Sequence, residues 1–404
     1  MLAPGLQGCQ GDSGSWMLAY APRTPLSQAP PVPLSRPLYD EREIARVREA
    51  LQGQTSGDGP FGRRVERRLE AELNVPRVLL TTSCTHAMEL ALLSLGLTGA
   101  QEVIVPSFTF VSTANAVLRA GGRPVLADIE SRTLGLDPAD VERRISPRTA
   151  ALLPVHYAGV AGEMDALLDL ARRRGLKLVE DAAQGIGASF KGRPLGSLGD
   201  AGCLSFHDTK NLSCGEGGAL VLRDEDTAER AEIIREKGTN RSAFLRGEVD
   251  KYTWIAEGSS YVLSDVLAAI LDAQLDKQQE IAAQRARVAG LYLEGLGEWA
   301  AERGVRLPGS WPDRKPNHHI FHLLLPDADA QQRCLRCLRS RGIGAAFHYV
   351  PLHSSPFGRS LGLHTGSFEV TTRIASTLVR LPIHPLMSGS DVARVIDAVR
   401  GSLD

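Results

Sequence analysis

Lysine is scarce in this chain of 404 residues. Of its 46 basic side chains only seven are lysines: Lys177, Lys191, Lys210, Lys237, Lys251, Lys277 and Lys315. Codon bias accounts for such a skew, but it narrows the chemistry. A guanidinium stays protonated, whereas a lysine amine can be tuned into a nucleophile or a base. Long apolar runs are also missing, and none approaches the roughly 18–20 residues of a membrane span. The formal net charge of −1 argues against a general nucleic-acid binder. The six cysteines (Cys9, Cys84, Cys203, Cys214, Cys334 and Cys337) are scattered. That suits a reducing cytoplasm better than a disulfide scaffold. The one CxxC, Cys334 to Cys337, has a helical look and no second Cys pair or His-x-His beside it, so no metal site is expected. Residues 1–20 lack the basic and apolar regions of a signal peptide. Residues 1–24 read as a disordered tail, or as sequence upstream of a start at Met17.

What is present is ordinary for a globular protein, 43% apolar and 23% charged. The length suits two or three domains, or one large α/β domain with a smaller partner. From about Phe61, helical patterns alternate with short apolar runs: 78–82, 102–106, 123–129, 149–156, 176–181, 201–206 and 218–223. Strands spaced by helices, without polar alternation, predict a mainly parallel sheet covered on both faces. Ligands bind such sheets beyond the carboxyl ends of the strands. After about 264 two long helical patterns follow, and then a smaller α+β unit with strands expected at 318–325 and 345–350. The expected division is a large domain over 25–275 and a small one over 276–404.

Four motifs bear on chemistry, three of them at strand ends. Gly57-Asp-Gly59-Pro-Phe-Gly62 fits GxGxxG, but no strand precedes it and no acid follows at the required distance. A turn into a helix is the better reading. Thr82-Ser83-Cys84-Thr85 ends a strand and opens a helix, where free N–H groups suit a phosphate; Ser and Thr are also ordinary N-caps. Glu180-Asp181 closes a strongly apolar strand. A carboxylate there is an N-cap, a surface acid, or a fixed anion facing a cationic ligand atom. Ser205 to Asn211 follows another strand, and its Lys210 lies between two apolar strands while the other lysines sit in polar contexts. Desolvation would lower the Lys210 pKa below the usual ~10.4; a lysine with its tip in solvent is the alternative. A phosphate site, a strand-end acid and a strand-end lysine together suit pyridoxal phosphate.

Ten ordered segments carry a wider likeness, among them TTSCTHAMELA, VIVPSFTFVSTANAV, LPVHYAGVAGEMD, VEDAAQG, SFHDTKNLSCGEGGAL, GSSYVLSD and AFHYVPLH. From about residue 25 to its end the chain resembles the DegT/DnrJ/EryC1/StrS sugar-nucleotide aminotransferases. Within them it is most similar to those acting on dTDP-4-keto-6-deoxyglucose to give dTDP-4-amino-4,6-dideoxygalactose. The resemblance implies the type I, aspartate-aminotransferase-like fold, with a mainly parallel sheet in a large domain and a smaller α+β C-terminal domain. It implies pyridoxal 5′-phosphate bound to Lys210, with pyridoxamine 5′-phosphate formed in turnover. Asp181 would pair with the ring nitrogen, Gln184 would lie near the phenolic oxygen and Phe110 would stack on the ring; core packing is the other role for Phe110. The Cys84 and Thr85 N–H groups, the Thr85 hydroxyl and Ser205 would hold the phosphate. Ser260 stands where many relatives donate an Asn to the neighbouring subunit's phosphate, and is a shorter donor. His348 would face the sugar, or serve as a surface or core histidine.

The implied reaction moves an amine from L-glutamate to the C4 ketone of a dTDP-linked sugar in a cytoplasmic homodimer, by ping-pong kinetics. Amination at C3, another nucleotide-linked keto sugar, or a regulator that binds the cofactor without catalysis are the alternatives. Sugar dehydratases of this fold carry His at the lysine position, so Lys210 argues against that activity.

Overall fold

The computed structural model describes residues 30–403; the expected tail over 1–24 lies outside the described residues. The central sheet has seven strands: β1 (Arg77–Thr81), β2 (Glu102–Pro106), β3 (Arg123–Ala127), β4 (Thr149–Leu152), β5 (Lys177–Asp181), β8 (Ala201–Ser205) and β9 (Gly218–Leu222). Their order is β1-β9-β8-β5-β4-β2-β3, and β9 alone runs antiparallel to its neighbours. Strands β2, β8 and β9 are buried at every position. Apolar clusters lie on both faces of the sheet, one built on Leu79, Val105 and Val179, the others on Leu80, Leu204 and Ile104. That two-sided burial is why the strand sequences do not alternate.

Two-residue strands β6 (Ser189–Phe190), β7 (Arg193–Pro194) and β10 (Arg314–Lys315) form a small side sheet. The later part of the chain pairs β11 (Phe321–Leu324) with β12 (Leu378–Leu381) antiparallel, with His322 opposite Arg380. The helix Gln278–Glu302 serves two cores. Its Ile281 packs with Phe61, Leu69 and Leu275, whereas Val288, Tyr292 and Leu296 pack with Phe321, Leu335 and Val395.

Two local readings change, those of 345–350 and of Lys277, and the turn expected at the GxGxxG segment is found. Residues 345–350 do not form a strand and make only an isolated bridge, Ala346 to Arg380. Consecutive strand residues point to opposite faces, but His348 and Tyr349 both line the same cavity. Of the GxGxxG glycines, Gly59 and Gly62 face a protein carboxylate, whereas Gly57 lies against Val262. The helix Pro60–Leu73 starts at its proline, and Asp265 accepts from the Phe61 and Gly62 N–H groups at 3.3 and 2.7 Å. A Cβ on Gly59 would lie 2.3 Å from the Asp265 carboxyl carbon. Lys277 is also no polar-loop lysine: it is fully buried, with Nζ 2.6 Å from Glu43 and donating to the Leu38 carbonyl at 2.7 Å. Cys334 and Cys337 lie on the helix Ala328–Ser340. The described residues hold no group of three metal-ligating side chains, and none of their helices is long and apolar enough to cross a membrane.

Candidate active site

The carboxyl ends of β1, β5 and β8 open into a cavity of about 440 Å³. Cys84, Thr85, Phe110, Asp181, Gln184, Ser205, Lys210 and His348 all line it. Ser260 does not; it is exposed and bridges to Glu236. The sequence separates these eight residues by as much as the distance from Cys84 to His348; the connections of the central sheet bring the first seven to one edge, and the later part of the chain adds His348.

The helix Cys84–Ser94 begins directly beyond β1. Its N-cap, Ser83, accepts from the His86 N–H at 3.1 Å. The N–H groups of Cys84 and Thr85 belong to the first turn, which has no acceptor within the helix. The Thr85 hydroxyl donates to Ser112 at 2.9 Å, which keeps it at the cavity wall. Strand β9 passes close behind. A Cβ on Gly218 would lie 2.3 Å from the Ser83 carbonyl carbon and 2.4 Å from the Cys84 nitrogen. Glycine is therefore what lets the strand support this cup. The Cys84 thiol is pushed well up by burial, so it stays a neutral wall of the cavity.

Glu180 and Asp181 are neighbours with different environments, because β5 alternates its faces. Glu180 is fully buried, 2.8 Å from His156 Nε2, and accepts from the N–H groups of Gly196, Leu198 and Gly199 at 2.6 to 2.9 Å. Burial alone would raise its pKa, but the His156 contact and these N–H groups outweigh it and hold the carboxyl below its ordinary range. Asp181 faces the cavity. Its Oδ2 accepts from the Thr113 hydroxyl at 2.8 Å and its Oδ1 from the Ala183 N–H at 3.2 Å. Burial pushes its pKa up, against the pull of Thr113 and Lys210. Among the described residues it forms no salt bridge, so its charged form lacks a cationic partner within the protein.

Lys210 extends from the turn after β8. Its side chain is partly buried, and no hydrogen bond or ion pair with a described residue holds Nζ. Burial pushes the amine's pKa down, opposed by Cys84 and Asp181. That leaves a larger fraction of free, nucleophilic amine near neutral pH. Gln184 is fixed at both ends of its amide. Its Oε1 accepts from the Ala158 N–H at 2.6 Å, and its Nε2 donates to the Tyr349 hydroxyl at 3.3 Å.

Sequence reasoning did not single out Thr113, Asn211, His319, Tyr349 or Arg380. His319 lines the cavity with Nδ1 2.9 Å from Asn211, and burial drives its pKa well down. Asn211 directly follows Lys210, so adjacency was a usable signal there. Thr113 and Arg380 carry none, since each reads as an ordinary helix or strand residue.

The residues fit pyridoxal phosphate on three counts: an unbonded helix N-terminus at a glycine-backed cup, a buried unpaired carboxylate, and a free lysine amine. Such a fold and site define a pyridoxal-phosphate-dependent transferase of type I. Residues 37–400 match the DegT/DnrJ/EryC1/StrS aminotransferase family, and the chain belongs to it. It is 32% identical over 377 residues to the spore coat polysaccharide biosynthesis protein SpsC of Bacillus subtilis, covering 91% of this chain and 96% of that one. Among solved structures, DesV of S. venezuelae superposes with a TM-score of 0.84 at 34% identity, covering 92% of this chain and 98% of that one. DesI, solved in the presence of its TDP-sugar product, gives 0.83 at 31% identity, covering 93% and 94%. The protein is thus a pyridoxal-phosphate-dependent sugar aminotransferase.

Proposed function

We propose that this enzyme transfers an amine from L-glutamate to the C4 ketone of a dTDP-4-keto-6-deoxy-hexose, giving the dTDP-4-amino-4,6-dideoxy sugar and 2-oxoglutarate. The observation that carries the chemistry is the meeting of Lys210, Asp181 and the start of the helix Cys84–Ser94 in one cavity. The sugar class is supported by the motif likeness and by DesI, whose product is a TDP-sugar.

Bound pyridoxal phosphate supplies an electron-withdrawing ring that takes up the electrons left when a proton leaves the amine-bearing carbon. The chain's own residues do the rest. Asp181 would pair with the ring nitrogen and favour its protonated form. The Cys84 and Thr85 N–H groups, the Thr85 hydroxyl and Ser205 would hold the phosphate. Phe110, more than half exposed at the cavity wall, would pack against the ring. Gln184 would donate or accept at the ring's edge. The Lys210 amine would hold the cofactor at rest and, when free, would serve as the base that moves the proton at the substrate carbon. Glutamate reacts first and 2-oxoglutarate leaves before the sugar is aminated, hence ping-pong kinetics.

We propose a homodimer in the cytoplasm. Tyr252, Trp254 and Ile255 are exposed on the segment leading to Ser260, and Trp254 is 77% exposed. A second copy would cover this apolar segment and bring Ser260 toward the other subunit's phosphate. The free cysteines suit a reducing compartment.

Incubation with dTDP-4-keto-6-deoxyglucose and L-glutamate should give 2-oxoglutarate and an aminated sugar nucleotide. The proton H3–H4 coupling of the product reads galacto or gluco configuration. Amination at C3, or no amination, would remove this reading.

A further inference from the structure

A second cavity lies between the turn after β3, the helix Gln278–Glu302 and β11. Its outer part measures about 200 Å³ and adjoins an inner recess of about 60 Å³; Arg132, Gly309, Trp311 and His322 line both. Neither part shares a lining residue with the catalytic cavity. Tyr157 stands between the two sites. It lines the recess, and its hydroxyl lies 3.2 Å from His348 Nδ1 on the catalytic side.

The walls are apolar and aromatic, with Tyr157, Ile320 and Phe321 buried behind Trp311. Trp311 folds against Gly309, where a Cβ would lie 3.0 Å from the indole ring. The polar groups are all donors or cations. His322 is buried, and neither ring nitrogen has a hydrogen-bond partner among the described residues. Burial and the charges of Arg306 and Arg380 push its pKa down to about 4, so the ring is neutral and keeps one N–H to donate. Arg132 and Arg306 line the outer part, and neither forms a salt bridge with a described residue. Arg306 is fixed by its own N–H and carbonyl, each bonded to Leu324 at 2.9 Å, and by its guanidinium on the Ser131 carbonyl. Glu130 is close enough for its charge to reach Arg306, but its carboxylate is taken by the N–H groups of Arg132 and Thr133. Arg373 adds another positive charge beside Arg306.

Flat apolar walls suit an aromatic ring, and guanidinium forks suit a carboxylate. A phosphate dianion would lose more hydration against such walls than a monoanion. We propose that this cavity binds a small aromatic carboxylate, its ring against Trp311 and Tyr157 and its carboxylate on Arg306, Arg132 and the His322 N–H. The site is separate from the transamination chemistry, so its test does not depend on turnover.

The probe is benzoate, titrated into holoenzyme and followed by tryptophan fluorescence and by calorimetry. It should bind with a Kd of about 1 mM or tighter. Acetate carries the charge without the ring, and benzyl alcohol the ring without the charge; each should bind at least about tenfold more weakly. Arg306→Gln, at an exposed position, should weaken benzoate about tenfold, and Arg132→Gln and His322→Phe should weaken it in the same direction. Trp311→Phe should remove the fluorescence change while calorimetric affinity stays within about threefold, which ties the signal to this cavity. The cofactor's absorbance should not move with benzoate, and L-glutamate should not displace it. A wild-type melting temperature and cofactor spectrum verify the fold of each variant. No binding to the wild type, unchanged affinity in Arg306→Gln and Arg132→Gln, or displacement by L-glutamate overturns the assignment.

Discussion

The Thr113 hydroxyl donates to Asp181 Oδ2 at 2.8 Å, inside the protein and away from water. It is the strongest hydrogen bond the Asp181 side chain receives, and it opposes the rise in pKa that burial causes. In cofactor-free protein the folded Asp181 pKa is therefore above its unfolded value of ~3.9. Stability from this group is full below that value and is lost as pH rises through the folded pKa. Thr113→Val should move the loss to higher pH and lower stability by about 1 kcal/mol near neutrality. Melting of cofactor-free enzyme between acid and neutral pH tests this. Bound cofactor should flatten the profile, because a protonated ring nitrogen pairs with the carboxylate.

Glu180 has the opposite sign. Its folded pKa is depressed, so its stabilisation is present above the unfolded value of ~4.3 and is lost as pH falls through the folded one. Glu180→Gln should cost about 3 kcal/mol by leaving His156 and the loop N–H groups poorly matched. Denaturant unfolding measures that cost. Activity per folded molecule should fall far less than in Asp181→Asn, and an equal fall would move Glu180 into the chemistry.

Lys210 and Lys277 separate catalysis from stability. Lys210→Ala should lower turnover by at least about 10³-fold, and Lys210→Arg should fail too, since a guanidinium neither holds the cofactor nor moves the proton. Lys277→Met breaks the buried pair with Glu43 and should cost about 3 kcal/mol of stability while leaving the cofactor in place. Borohydride reduction followed by peptide mapping should fix the cofactor on the peptide containing His207 to Lys210.

Gly218→Ala inserts a Cβ against the Ser83 and Cys84 backbone, which cannot swing aside as a side chain would. Cofactor affinity should drop by about tenfold or more, measured by fluorescence titration. Wild-type affinity in this variant would mean that the cup tolerates displacement of its backbone.

The pattern of the large sheet was legible because strands buried on both faces are written in apolar residues, as in Val179 within β5 and Leu204 within β8. Asp181 at the end of β5 and Lys210 in the turn after β8 could be picked out for the same reason: polar groups at the end of an apolar run need a partner. The segment 345–350 misled, since its apolar residues suit a strand but serve a cavity wall. The helices Glu41–Leu51 and Glu225–Arg235 were not anticipated, being mostly polar on their exposed sides.

A mainly parallel α/β sheet, the shortage of amines and the one lysine placed for chemistry could be read from the chain alone, because periodicity, composition and strand-end position are local properties. Which of two adjacent acids faces the cavity, that a GxGxxG loop serves Asp265, and that Arg380 stands beside His348 became visible only in the folded chain. Those depend on contacts between residues far apart in the chain: Glu180 and Gly196 across a loop, Gly62 and Asp265 between helices, Arg380 and Ala346 across a single bridge. Burial and pairing, which set the charge and role of each group, exist only once those segments meet.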